Sequence, residues 1–177
     1  DFTNPEDSHT LSQLYEELLM MMGREGGAAG EYYTPRPIVR LMVKIVNPKI
    51  GETIFDPLCG SCGFLIESFK SMKERRKLIT EEYKLLQEKT FYAQELKALP
   101  YLIGTMNCIL HGLLLPNIIR KDTFEENVVS TPAPRFDVIL TNPPFGGSVA
   151  EHLRDNLPAP TGSTELAALQ YCMRKLK

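Results

Sequence analysis

Short apolar runs alternate with longer segments of helical periodicity along most of this chain. The short runs favour β-strands, and turn or polar residues follow each of them. Strands are predicted at residues 53–56, 90–95, 117–121 and 136–141. Helices are predicted at residues 38–46, 64–86, 100–114 and 163–176. Strands that alternate with helices indicate an α/β fold with a parallel sheet, in which all four strands end at the same edge.

The predicted helices differ in character. The charged run from Lys70 to Lys77, within residues 64–86, mixes basic and acidic side chains, and we interpret it as a solvated face rather than a DNA-binding patch. The helix at residues 100–114 has a clear apolar face. The residues of that face are Leu102, Met106, Ile109 and Leu113.

The first thirty residues follow a different pattern. Apolar residues at helical spacing predict a helix over residues 8–22. Four glycines between Gly23 and Gly30 then predict a flexible loop. We therefore expect residues 1–29 to be a helix with a glycine-rich loop, and residues 30–177 to belong to the α/β domain.

Composition limits the possible classes of protein. The 177 residues are 43% hydrophobic and 24% charged, which is typical of a soluble globular domain. A formal net charge of −2 lacks the strong positive field of an autonomous DNA-binding protein, so a nucleic-acid partner would need binding groups from elsewhere. No apolar run approaches the roughly 20 residues that span a bilayer, and no signal pattern opens the chain. We therefore expect a cytoplasmic location without membrane association.

The cysteines allow an alternative function. Cys59 and Cys62 form a C-x-x-C pair before a predicted helix, which is also the arrangement of a thiol–disulfide site. The remaining candidate metal ligands are isolated from one another: Cys108, Cys172, His9, His111 and His152. We therefore predict reduced cysteines and no metal site, with a redox site as the alternative.

The fourth predicted strand ends abruptly in Asn142, Pro143, Pro144 and Phe145. The Asn142 side-chain carbonyl and the Pro143 carbonyl, whose direction the proline rings restrict, are two fixed acceptors. They suit an NH2 group that donates both hydrogens, and Phe145 offers a flat face for a planar ring. Holding the amine directs its lone pair at an electrophile, so positioning replaces a strong base. The alternative is a proline-capped strand that leads into a flexible loop.

The first predicted strand ends at Asp56 and continues into a glycine-containing turn from Pro57 to Gly63, before a helix. This is the start of a Rossmann-like unit, in which glycines allow close approach of a ligand and the helix N-terminus favours its negative group. The dinucleotide fingerprint G-x-G-x-x-G is absent. Asp56 instead suits the cationic amine of an amino-acid-like ligand.

Three further residues belong to the predicted site. Glu95, at the end of the second strand, can accept hydrogen bonds from ribose hydroxyls, and Asp122, after the third strand, from an adenine amino group. Either acid is a turn or cap residue in the alternative interpretation. Thr34, before Pro35 at a helix start, is either a cap residue or part of a site for an anion such as a carboxylate.

In combination, these motifs resemble the N6-adenine DNA methyltransferases. The shared motifs, in chain order, are Tyr32-Tyr33-Thr34-Pro35, the Asp56 to Phe64 segment, Glu95, Asp122 and Asn142-Pro143-Pro144-Phe145. The pattern is most similar to the modification subunit of type I restriction–modification systems. This resemblance implies a Rossmann-like S-adenosylmethionine-dependent methyltransferase fold, duplex DNA as substrate and base flipping of the target adenine. It also implies a specificity subunit and a restriction subunit as partners.

By motif position, the resemblance assigns two sets of residues. The set that would bind S-adenosylmethionine is Tyr33, Thr34, Asp56, Pro57, Cys59, Gly60, Gly63, Glu95 and Asp122. The catalytic set around the flipped base is Asn142, Pro143, Pro144 and Phe145. The loop departs from the family pattern at Cys62, where glycine is usual, and we expect the extra side chain to narrow the approach to the backbone.

The resemblance also implies a larger sheet than the four strands found here. We therefore expect residues 30–177 to be the N-terminal part of a catalytic domain, truncated after a fourth strand that forms an exposed edge. We expect the chain alone to be inactive. Two alternatives remain open: a protein-glutamine or RNA methyltransferase with the same Asn-Pro-Pro-Phe pocket, and a non-catalytic assembly module.

Overall fold

The computed structural model describes residues 17, 34–74, 77–130 and 134–177. Its strands are β1 (Ile54–Asp56), β2 (Phe91–Glu95), β3 (Asn117–Arg120) and β4 (Val138–Ile139). They form one sheet in the order β3-β2-β1-β4, and every neighbouring pair is parallel. The predicted parallel α/β fold is therefore confirmed. The helix predicted over residues 8–22 lies outside the described residues except for Glu17, and the glycine loop lies wholly outside them.

Helices surround the described sheet. They are α1 (Arg36–Val46), α2 (Gly63–Glu74), α3 (Thr80–Leu85), α4 (Ala98–Leu110) and α5 (Thr164–Lys175). A π-helical turn at Leu86–Thr90 leads into β2, and 3-10 turns lie at Thr123–Glu125 and Glu151–Asn156. Among the helices of the described ranges, none is long and apolar enough to cross a membrane.

Successive residues of a strand point to opposite faces of the sheet, and in β1 and β2 both faces are largely buried. In β1, Ile54 belongs to one apolar cluster and Phe55 to the other. On the first face the rings of Phe69 and Phe91 meet edge to face, with centroids 5.9 Å apart. On the second face Phe55 stacks on Phe136, with centroids 4.3 Å apart. The apolar side chains thus occupy the two faces, and polar groups remain for the ends of the strands.

The helix predicted over residues 64–86 is wrong in its extent. α2 ends at Glu74, and a separate helix, α3, begins at Thr80. The Ile79 N–H donates to the Glu82 carboxylate at 3.2 Å, and this contact caps the start of the new helix. The charged residues before it have no apolar repeat that would hold a continuous helix against the core.

The apolar face predicted for α4 is mostly exposed. The exposed fractions are 56% for Leu102, 54% for Met106 and 44% for Ile109, whereas Leu113 is buried beyond the end of the helix. The helix instead buries small residues, Gly104 and Cys108. A Cβ at Gly104 would lie 2.7 Å from Cys62 Sγ, so the close packing of α4 on the turn after β1 requires glycine.

The edge of the sheet at β4 is partly covered by residues that follow α5. Phe136, just before β4, pairs in parallel with Leu176. The Phe136 N–H donates to the Lys175 carbonyl at 2.8 Å, and its carbonyl accepts from the Lys177 N–H at 3.0 Å. α5 therefore returns the chain to the sheet as a β–α–β crossover does. The prediction that the fourth strand lies at an edge of the sheet is confirmed, and this pairing covers only the residue before β4.

A carboxylate joins the starts of β1 and β4. Asp137 Oδ2 accepts from the Thr53 N–H at 2.8 Å and from the Thr53 hydroxyl at 2.7 Å, and the Lys177 ammonium lies 2.8 Å away. The hydrogen bond from Lys177 and those from Thr53 hold the pKa of Asp137 well below its usual range. These contacts fix the register in which β4 lies beside β1.

Candidate active site

A cavity of about 450 Å³ opens at the carboxyl edge of the sheet. Most of the predicted site residues line it: Thr34, Asp56, Cys59, Gly60, Gly63, Glu95, Asp122, Asn142, Pro144 and Phe145. Pro57 and Pro143 are not part of the lining, and Tyr33 lies outside the described residues. The structure therefore places residues of both predicted sets in one cavity.

Asp56 is a buried carboxyl group in the wall of this cavity, and only 1% of it is exposed. Burial raises the pKa of Asp56 from its ordinary value of 3.8 to about 7, and the charge of Glu95 adds to this effect. The Leu58 N–H, which donates to Asp56 Oδ1 at 3.2 Å, opposes it. A cationic ligand group beside Asp56 would favour the ionised carboxylate.

Glu95 fixes the turn after β1 against the end of β2. Its Oε2 accepts from the Gly60 N–H at 3.0 Å, and its Oε1 accepts from the Lys97 N–H at 2.9 Å. Gly60 has a φ of 50°, in the left-handed region that favours glycine. Each carboxylate oxygen can accept more than one hydrogen bond, so Glu95 can hold the turn and also accept from a ligand hydroxyl.

Asp122 combines a structural contact with a place in the cavity. Its Oδ1 accepts from the Phe124 N–H at 2.9 Å and caps the 3-10 turn at Thr123–Glu125. The cap interpretation is therefore confirmed for one carboxylate oxygen. That contact leaves acceptor capacity on Asp122, which lines the cavity together with Phe124.

Asn142 and Thr34 meet at the cavity although they are 108 residues apart. Asn142 Nδ2 donates to Thr34 Oγ1 at 3.2 Å. The cap interpretation of Thr34 is wrong, because the N-cap residue of α1 is Pro35 and no side chain of the described residues caps that helix. The contact engages the NH2 end of the Asn142 amide, so the carbonyl end can accept from a ligand.

The loop that follows the strand end is held by the start of α5. Phe145 is 81% exposed in the cavity wall. The Gly146 N–H donates to Glu165 Oε1 at 2.6 Å. Gly147 packs so closely that a Cβ there would lie 2.7 Å from Thr164 Oγ1. These contacts argue against the alternative of an unrestrained flexible loop after the prolines.

The prediction that the Cys62 side chain narrows the approach of a ligand to the backbone is wrong. Cys62 has a φ of 60°, so it does adopt the backbone conformation that favours glycine. Its side chain is fully buried and is not part of the cavity lining. The thiol instead packs against Gly104 of α4. Cys62 therefore fills the core behind the turn and does not narrow the cavity.

The geometry of the thiols does not support the redox alternative. The Sγ atoms of Cys59 and Cys62 are 3.4 Å apart, and both cysteines are free and buried. Their mutual hydrogen bond, then burial, raises the pKa of Cys59, whereas a hydrogen bond to Cys108, with burial, raises that of Cys62. A reactive pair needs an accessible thiolate, which these conditions oppose. The described ranges also contain no group of three or more His, Cys, Asp or Glu side chains placed to hold a metal ion.

Gly104→Ala tests the packing behind the turn. The added methyl would lie 2.7 Å from both Cys62 Sγ and the Gly60 carbonyl oxygen, so we expect a loss of about 1–3 kcal/mol in the free energy of unfolding. Alanine favours helix over glycine, so helix propensity would act in the opposite direction. Denaturant unfolding of the variant measures the loss.

The matched variant is Cys62→Gly/Gly104→Ala. It removes the clash with sulfur but keeps the contact with the Gly60 backbone, so we expect only partial recovery of stability. Wild-type stability in Gly104→Ala alone would show that the turn is not held by this contact.

A series of buried hydrogen bonds holds the turn after β1 in place behind the cavity. The Thr123 hydroxyl donates to the Pro57 carbonyl, and the Tyr171 hydroxyl donates to Glu126 Oε2 at 2.7 Å. The Gln94 side-chain amide lies 3.0 Å from Thr123 Oγ1 and 3.4 Å from the Tyr171 oxygen. Because each hydroxyl has one proton and already donates it, the amide must present its NH2 group to both oxygens. This series of hydrogen bonds connects α5 with the turn after β1.

Several lining residues were missed from the sequence. The apolar ones include Leu96 and Phe124, which lie in the segments after β2 and β3. They belong to no polar motif, and only their position next to a strand end could have indicated them. Glu165 was missed because it acts on a backbone N–H from the far end of a loop.

The fold and the cavity together define a Rossmann-like α/β domain with a ligand site at the carboxyl edge of its sheet. The sequence model of the N-6 DNA methylase family matches residues 6–177, and the chain belongs to this family. The family and the methyltransferase fold inferred from the motifs are thus confirmed.

Individual relatives agree with this assignment. The chain is 40% identical over 169 residues to the methylase subunit of the type I restriction enzyme EcoEI from Escherichia coli, an alignment that covers 96% of this chain and 34% of that protein. A chain from a solved type I R-M system superposes with a TM-score of 0.92 at 48% identity, over 100% of this chain and 36% of that one. The EcoKI M protein superposes with a TM-score of 0.70 at 25% identity, over 82% and 32%. The chain thus spans about a third of the length of these relatives.

Proposed function

We propose that this protein is a site-specific DNA adenine-N6 methyltransferase, the modification subunit of a type I restriction–modification system. The observation that carries the proposal is the single cavity in which Asn142 and Phe145 lie with Asp56, Glu95 and Asp122. The first two residues suit a planar ring with an amino group. The three acids suit a nucleoside that carries a cationic amino-acid group. Joining these two recognition sites in one cavity supports group transfer between the two ligands.

The residues present fit S-adenosylmethionine, which supplies an electrophilic methyl group. Asp56 would hold the ammonium group, because a buried acid with a raised pKa gains most from a cation. Glu95 would accept from the ribose hydroxyls, and Asp122 from the adenine amino group. Phe124 and Leu96 supply apolar surface for the adenine ring.

The turn after β1 and the start of α1 would complete the cofactor site. Cys59, Gly60 and Gly63 line the cavity, and the absence of a side chain on the two glycines allows close approach to the backbone. The Thr34 hydroxyl would donate to the carboxylate. Pro57 does not line the cavity and would act indirectly, because its carbonyl accepts the hydrogen bond from Thr123 that holds the turn. Tyr33 keeps its predicted place in this set.

The target adenine would be held by the end of β4. Asn142 Oδ1 and the Pro143 carbonyl would accept the two hydrogens of its amino group, and Phe145 would stack on its ring. The exposed position of Phe145 suits a base that enters from a duplex by flipping. Pro144 would keep the direction of the Pro143 carbonyl restricted.

The proposal includes the partners and the cellular location. Sequence recognition would come from a specificity subunit and cleavage from a restriction subunit, in keeping with the formal net charge of −2 on this chain. The protein would work in the cytoplasm, where the DNA is. Residues 1–29 would be the end of a helical region and residues 30–177 the first part of the catalytic domain.

The relatives favour this function over the alternatives. A glutamine side chain or an RNA base would present a similar NH2 group, but the family and its type I methylase members support DNA. The complete set of lining acids supports an enzyme over an assembly module, which has no need of them.

The test uses the complete methylase subunit together with its specificity subunit. We expect titration calorimetry to show binding of S-adenosylmethionine and of its demethylated product. Nucleoside analysis of unmodified DNA incubated with the complex should then show N6-methyladenine. Failure to bind either compound would refute the cofactor assignment, and methylation of protein or RNA in place of DNA would refute the substrate.

A further inference from the structure

We infer that Thr34 is a positioning residue for methyl transfer, which orients the Asn142 amide, as well as a cofactor contact. The inference rests on the proposed function. Its basis is the hydrogen bond from Asn142 Nδ2 to Thr34 Oγ1, 3.2 Å long, between residues 108 positions apart in the chain.

The orientation of the amide decides whether the amino group of the base is accepted or refused. An asparagine side chain has an acceptor end and a donor end of almost the same shape. With the NH2 end on Thr34, the carbonyl end is left for the base amino group. Turned by half a rotation, Asn142 would present N–H groups to N–H groups and would repel that amino group. A hydroxyl can accept from the NH2 end or donate to the carbonyl end, so Thr34 selects the productive orientation when its own proton is donated to another group.

One threonine can serve both ligands because a hydroxyl has two kinds of hydrogen-bonding capacity. Its oxygen accepts from Asn142, and its single proton stays available to a carboxylate. A carboxylate accepts and does not donate, so it would hold the hydroxyl in the rotamer that keeps the lone pair towards Asn142. Binding at the cofactor end would thus stabilise the productive amide at the base end.

Both partners stand on rigid elements. Thr34 precedes Pro35 at the start of α1, and Arg36 Nη1 in the first turn of that helix donates to the Gly63 carbonyl at 3.3 Å. Asn142 follows a strand end that is held by the Leu140 N–H, which donates to the Phe55 carbonyl at 3.1 Å. The contact is therefore part of a fixed framework, and fixed geometry is what positioning requires.

The first test is kinetic and uses the complete enzyme with Thr34→Val and Thr34→Ser. At saturating S-adenosylmethionine we expect kcat of Thr34→Val to fall about tenfold, the scale of one neutral hydrogen bond. Thr34→Ser keeps the hydroxyl and should stay near the wild-type kcat. Thr105→Val is the matched control, because it removes a half-buried hydroxyl bonded to the Tyr101 carbonyl in α4, away from the cavity. A variant that raised only KM for the cofactor would overturn the inference and leave the proposed function intact.

The second test does not depend on turnover. Affinities are compared for duplexes with adenine or unsubstituted purine at the target position, because purine lacks the amino group. The wild-type preference for adenine should shrink in Thr34→Val and in Asn142→Ala, and the double variant should lose no more than Asn142→Ala. Additive losses would overturn the inference. Thermal unfolding checks that the variants are folded, and the serine variant keeps the test decisive if valine destabilises the chain.

Discussion

Asn142→Ala is expected to lower kcat for methyl transfer at least about a hundredfold in the complete enzyme, the scale of one preorganised polar group at a reacting centre. The variant loses the carbonyl that would accept from the reacting amino group. Affinity for S-adenosylmethionine should stay within about twofold, because the acids of the cofactor site are unchanged. Single-turnover kinetics and titration calorimetry measure the two quantities separately.

Asn127→Ala is the matched control for this prediction. Asn127 accepts from the Val129 and Ser130 N–H groups in an exposed turn and is not part of the cavity lining. It should keep the wild-type rate. A rate for Asn142→Ala within a few-fold of wild type would exclude the assigned role.

Asp56→Asn is expected to weaken cofactor binding at least about a hundredfold and yet to stabilise the fold at neutral pH. The affinity falls because the ammonium group loses its buried counter-charge. The stability rises because Asp56 is ionised in the unfolded wild-type chain, and folding must either protonate this carboxylate or bury its charge where only 1% of the residue is exposed. A rise in pKa from 3.8 to about 7 corresponds to about 4 kcal/mol at most, and asparagine removes that cost.

Asp56 also determines how stability and cofactor affinity change with pH. Because the folded-state pKa of Asp56 is raised, its contribution to stability is fully present below about pH 4 and is lost as pH rises through 7. Cofactor affinity changes in the opposite sense: it should rise with pH up to about 7, where the carboxylate forms without help. Below that pH, binding should release a proton.

Denaturant unfolding between pH 5 and pH 8 and calorimetry in buffers of different ionisation enthalpy test these expectations. The matched control is Asp155→Asn, at an exposed position outside the cavity lining. Equal stability of Asp56→Asn and wild type at pH 8, or proton uptake on binding at pH 6, would contradict the role of Asp56.

The sequence was most informative at the ends of the strands. Asp56, Glu95, Asp122 and Asn142 follow four apolar runs, and parallel topology brings such positions to one edge, so their meeting in the cavity could be predicted. The acids are recognisable because each one ends an apolar run, although Glu95 and Asp122 also hold backbone N–H groups of turns.

The packing of α4 and the turn could not be predicted in the same way. Helical periodicity identified the face with Leu102 and Met106, but the core takes the face with Gly104, because close contact with Cys62 favours small side chains over apolar ones. Which of two faces is buried depends on the shape of the opposing element, and a local pattern does not contain that shape. The contact of Glu165 with Gly146 was hidden for the same reason, since any residue has the N–H group that it binds.

The pairing of β1 with both β2 and β4 has a consequence for the order in which the chain folds. Phe91 pairs with Ile54 and becomes available early in synthesis, whereas Asp137 contacts Thr53 from 84 residues further along the chain. Contacts of such long sequence separation form slowly, and segments nearer the N-terminus emerge from the ribosome first. We therefore expect β1, β2 and β3 to associate while the segment with Asn142 is still being made. The half of the cavity that carries the acids would be assembled first, and the pocket for the base would close last.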